Sequence, residues 1–118
     1  MGEATYSDCT ITVTDTFGNV SETLTISSFE IDTTSPTVER VTAVTDPTNV
    51  TTPEYVFSST EAGTITYDGA CSSSTTSAVA SSNTIALTNT SLGNLAEDNY
   101  TNCKVRFTDA TGNVSSLT

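Results

Sequence analysis

The chain has 118 residues, enough for one domain with a single core, and sets 14 acidic against 3 basic side chains for a formal charge of −11. A field of that sign repels nucleic acid and anionic membranes, and no apolar run approaches the ~20 residues needed to cross a bilayer. With no histidine and Lys104 as the one lysine, the chain has little from which to build a catalytic base, so an enzyme is not expected.

The opening Met-Gly-Glu-Ala-Thr lacks the basic and apolar regions of a signal peptide, so an export signal is expected elsewhere in a longer parent. The first strand signal starts at Tyr6. Its run Tyr6-Ser-Asp-Cys9-Thr-Ile-Thr-Val13-Thr-Asp15-Thr-Phe-Gly18-Asn19-Val20-Ser21 returns without a gap, 94 residues later, as Tyr100-Thr-Asn-Cys103-Lys-Val-Arg-Phe107-Thr-Asp109-Ala-Thr-Gly112-Asn113-Val114-Ser115. A period that long is a whole β-domain. Residues 1–31 are therefore expected to be the end of one repeat, and residues 32–118 a second repeat lacking most of its own last strand. Glu22 to Ile31 carries Leu24 and Ile26, then Phe29 and Ile31, and the change of phase between the pairs suggests a bulge.

Asp32-Thr-Thr-Ser-Pro36 reads as a linker, because proline removes a donor and holds the chain extended. Val38 to Val44 is a predicted strand that turns out at Asp46-Pro47. Glu54 to Ser59 is the next, with Tyr55 and Phe57 on one face. Glu61-Ala-Gly63 turns into Thr64 to Asp68, where Ile65 and Tyr67 alternate with threonine. Cys71 to Ser82 is rich in Ser and Thr and reads more as loop than strand. Asn83 to Leu87 is a short strand with Ile85 and Leu87 inward. Tyr100 to Thr108 is the most regular, with Cys103, Val105 and Phe107 on one face. No stretch shows a helical period, and short strands at this spacing predict an all-β sandwich.

Three motifs then carry a resemblance: the Tyr-started strand closing in Thr108 to Asn113, the linker Ile31-Asp-Thr-Thr-Ser-Pro36, and the turn Ser59-Thr-Glu-Ala-Gly-Thr64. In this order the chain resembles the bacterial Ig-like repeats of large cell-surface and adhesin proteins, over nearly its whole length. The resemblance implies an extracellular, stalk-forming, immunoglobulin-like antiparallel β-sandwich with strands lettered A to G, used as a tandem-repeat module. The tryptophan of antibody-type domains is absent. Tyr100 is a candidate tyrosine corner whose hydroxyl would reach back towards Leu95. A bulge is expected between it and Cys103, since strict alternation would put the two on opposite faces.

Within one period the period itself pairs Cys71 with Cys103, and Cys9, the counterpart of Cys103, is left unpaired or intermolecular. Such a bridge is expected to contribute roughly 3–4 kcal/mol. The acidic residues raise calcium. Asp32, Glu61, Asp109 and Asn113 would share one pole of an Ig-like sandwich, a hard-oxygen setting that suits Ca²⁺, and similar repeats in some adhesins bind calcium between domains. The same Asp-x-x-Gly-Asn run is also an ordinary turn. The expected function is a spacer or stalk repeat of a secreted or surface-attached bacterial protein. Its partners would be neighbouring repeats or copies of itself, met head-to-tail. Leu24, Ile26, Phe29 and Ile31 would form a strand donated to the next copy in a filament. The alternative is an adhesin module that binds carbohydrate or protein through its B–C and F–G loops.

Overall fold

The alternation of Thr and Ser with Val, Ile, Tyr and Phe favours half-buried strands over helix. In the computed structural model, which describes residues 2–117, every regular element is a β-strand and all pairings are antiparallel. The chain divides into two compact units, Met1–Thr33 and Thr34–Thr118.

The first unit is a hairpin whose arms are β1 (Ala4–Tyr6) and β2 (Thr10–Ile11), then β3 (Leu24–Thr25) and β4 (Phe29–Ile31). Strand β1 pairs with β4 and β2 with β3, and the bridge Thr14–Val20 extends the ladder towards the turn. The pairs Ala4–Ile31 and Ile11–Leu24 belong to one unbroken register. The bulge expected between Ile26 and Phe29 is thus a break in the ladder, with no extra residue on either arm. The register slips by one between Ile11–Leu24 and Thr14–Val20 instead, which places the extra residue between Val20 and Leu24. The directly opposed Tyr6 and Phe29 stack with ring centroids 5.4 Å apart. None of residues 2–33 is buried.

The second unit has two sheets. One is three-stranded, in the order β5 (Val38–Thr42), β6 (Glu54–Ser59), β9 (Ser81–Ala86). The other is four-stranded, in the order β11 (Val114–Leu117), β10 (Lys104–Asp109), β7 (Gly63–Asp68), β8 (Ser77–Ala78). Strand β5 carries a bulge at Val41, where the register to β6 shifts between Arg40 and Thr42. Phe57 and Ile85 from the first sheet join Ile65, Ala78, Val105 and Phe107 from the second, with Leu87, in a single buried cluster. Phe57, Phe107, Ile65 and Ile85 are among its fully buried members, each worth about 1.5–3 kcal/mol of transfer free energy. The expected inward faces of β6, β7, β9 and β10 are those that supply the core.

Two strand assignments differ from the sequence reading. The strand expected from Tyr100 begins at Lys104, because its partner β7 ends at Asp68. The chain there turns through Gly69, at φ +92°, and Ala70 N–H donates to the Asn102 side chain (3.2 Å) in place of a ladder bond. Tyr100 and Cys103 both precede the ladder, so no bulge is needed between them. The Cys71–Ser82 stretch, expected as loop, contains β8 and the first residues of β9. After the turn at Asp109, the four residues of β11 pair with Val105–Thr108, and Ser115 Oγ donates to the Pro36 carbonyl at the start of the unit.

Candidate functional site

The residues singled out for chemistry fall on turns and at strand ends. Asp109 closes β10, where the chain must reverse within four residues to start β11. Its carboxylate organises that reversal. Oδ1 accepts from Thr111 N–H (2.9 Å), Thr111 Oγ1 (2.9 Å) and Asn113 N–H (2.9 Å), while Oδ2 accepts from Asn113 Nδ2 (3.0 Å). The backbone closes around it, with Asp109 N–H donating to the Asn113 carbonyl at 3.0 Å. Gly112 sits at φ +97°, a region open to glycine at little steric cost. Burial pushes the Asp109 carboxyl up, but the bonds from Asn113 and Thr111 outweigh it and hold the group down at about 2.

The same turn stands 94 residues earlier. Asp15 Oδ1 accepts from Phe17 N–H (2.8 Å) and Asn19 N–H (2.9 Å), and Oδ2 from Asn19 Nδ2 (2.8 Å). Asp15 N–H donates to the Asn19 carbonyl at 2.9 Å, and Gly18 lies at φ +85°. The side-chain bond from Asn19, with the backbone bonds, holds the exposed Asp15 carboxyl below its ordinary value. The tyrosines repeat as well. Tyr6 hydroxyl donates to the Gly2 carbonyl (2.8 Å) and Tyr100 hydroxyl to the Ala96 carbonyl (3.0 Å), each four residues upstream. The bond expected near Leu95 is therefore made one residue later.

The candidate calcium residues are placed as follows. Glu61, in the turn after β6, brings its carboxylate within 4.8 Å of that of Asp109. Asn113 spends its side-chain amide on Asp109 and on Thr111 Oγ1 (2.9 Å). Asp32 belongs to the first unit, as the residue after β4. Four donors fix the Asp109 carboxylate in the turn, three on Oδ1 and one on Oδ2. Asp109 acts here as the turn's organiser.

Cys71 and Cys103 form the expected disulfide, with Cα atoms 5.4 Å apart and Cys71 buried beside the core. Cys9 is a free thiol, partly exposed. Leu24, Phe29 and Ile31, expected in a donated strand, lie in strands paired to β1 and β2, with Ile26 just past β3 bonded through its N–H to the Cys9 carbonyl (2.9 Å). They form one arm of a hairpin. The sequence reading missed Ser59 and Ser73, which are buried polar residues of the second unit. Each caps a turn through its hydroxyl, and in a Ser-rich chain nothing in the sequence marks which serines do so. Compared with known proteins, the chain matches no family model, no curated protein and no solved structure.

Proposed function

We propose that this chain is a spacer repeat of a secreted or surface-attached bacterial protein. On this reading it is an Ig-like β-sandwich module placed in series with others of its kind, meeting neighbouring repeats or further copies head-to-tail. The observation that carries the reading is the turn made twice. Asp15 and Asp109 hold the same backbone and side-chain bonds at the same offset as the sequence repeat. The two sheets sharing one core support the sandwich, with β5, β6 and β9 as strands A, B and E and β7, β10 and β11 as C, F and G. A disulfide in a chain this short supports an oxidising location outside the cytosol.

The adhesin alternative has one observation in its favour, the exposed Phe17 at the tip of the first turn. In the second turn Thr111 holds that place and turns its hydroxyl onto Asp109. The spacer reading is tested by pulling single chains between their termini. A spacer resists with a distinct force peak as residues 34–118 open, and reductant then lengthens the released chain by about 11 nm, at ~3.5 Å per residue over the sequence separation of 32 between the cysteines. Extension without a force peak would overturn it. So would selective capture of a glycan or protein that is lost in Phe17→Ala.

A further inference from the structure

The two copies of the repeated segment differ sharply in what covers them. In the second unit Val105 and Phe107 point from β10 into the core, 8 % and 1 % exposed. Their counterparts in the hairpin, Ile11 and Val13, are 46 % and 66 % exposed. Leu24, directly opposite Ile11, is exposed too, and Cys9 occupies the place that Cys103 uses to bridge to Cys71. The hairpin thus has the turn and the tyrosine bond of the second unit and, at Ile11 and Val13, the apolar positions of β10, although beyond the turn its register is one residue out from that of β10–β11. A two-stranded hairpin with no buried side chain is marginal in water.

We propose that the Cys9, Ile11, Val13 and Leu24 face is a docking surface for a second polypeptide segment of the residue 34–98 type, joined to it by a disulfide from Cys9 to that segment's Cys71. The occupant follows from the interface already present in the second unit. There Val105 and Phe107, the counterparts of Ile11 and Val13, lie against Phe57, Ile65 and Ile85, and the equivalent cysteine bonds Cys71. An intact copy of the chain is a poor occupant, because its own β10–β11 fills that place and Cys71–Cys103 holds it there. This inference rests on the reading of the chain as one of a series of like modules.

The test uses the full chain and, as probe, residues 34–98 with Cys71 carried as a mixed disulfide with glutathione. The two are refolded together, so the probe need not fold alone. The Cys9 thiolate attacks the Cys71 sulfur, the Cys9–Cys71 bond forms, and glutathione leaves as its thiolate. The expected result is a one-to-one product linked through Cys9, with slowed hydrogen exchange at the Ile11 and Val13 amides. Cys9→Ser should keep the slowed exchange while losing the link. Ile11→Asp with Val13→Asp should lose the slowed exchange and slow the linkage about tenfold or more.

Linkage at an unchanged rate in the aspartate variant would show random thiol encounter and overturn the proposal. A probe linked to Cys103 in place of Cys9, or a full chain that alone forms Cys9–Cys9 dimers with a protected face, would overturn it as well. None of these results touches the force-peak test of the spacer reading, so the two fail separately.

Discussion

At the residue scale, the carboxylate of Asp109 shows how one side chain sets a reversal of the chain. Its pKa of about 2 lies below that of an unfolded aspartate, so the stability it contributes is complete above a pH of about 4 and is lost as the pH falls through about 2. Asn113→Ala removes one donor from Oδ2 and should raise that pKa, so the loss comes at higher pH. Carboxyl titration by NMR checks this, and an unmoved Asp109 would remove Asn113 from the account. Gly63 is set by close approach. A methyl group there would overlap the Thr108 carbonyl oxygen and lie 2.7 Å from the Phe107 ring. Gly63→Ala is expected to cost about 1–3 kcal/mol, read as a lowered urea midpoint.

At the element scale, one sequence segment sits in two environments, and the comparison isolates what burial adds. Phe107→Ala opens a cavity among Phe57, Ile65 and Ile85 and should destabilise the second unit by about 3–5 kcal/mol. Val13→Ala, at the matching place in the hairpin, should change that unit's stability by less than about 0.5 kcal/mol. Equal costs in thermal melts would refute the contrast. The amides of β2 and β3 should also exchange about a hundredfold or more faster than those of β10, since ladder bonds without a core open locally.

At the scale of the whole molecule, the disulfide and the single core share the load in the second unit. Reduction of Cys71–Cys103 should lower its unfolding free energy by about 3–4 kcal/mol in the chain-entropy account, measured as denaturation with and without reductant. An unchanged midpoint would mean that the core alone sustains the unit. The hairpin's properties should be indifferent to that reduction, because the bridge lies outside residues 1–33.

Much of this was legible in the sequence. Period-two patterning located β6 to the residue and β7 within one, and named Phe57, Ile65, Ile85, Val105 and Phe107 as inward, because alternation is a local consequence of the pleat. The 94-residue repeat was enough to pair Cys71 with Cys103 and to mark the Asp-x-x-Gly-Asn turns. Other features depended on partners distant in the chain. Strand β8 (Ser-Ala) and the Ser-Ser start of β9 are too short and too poor in large apolar residues to show a pattern. They form because Gly63 and Thr64 offer an edge, and because the Asn83 side chain closes the intervening turn onto the Val79 N–H and carbonyl. The start of β10 was set by where β7 ends. Whether the repeated Cys-x-Ile/Val-x-Val/Phe face is core or surface was a tertiary decision, since a side chain is buried only where a second sheet arrives to cover it.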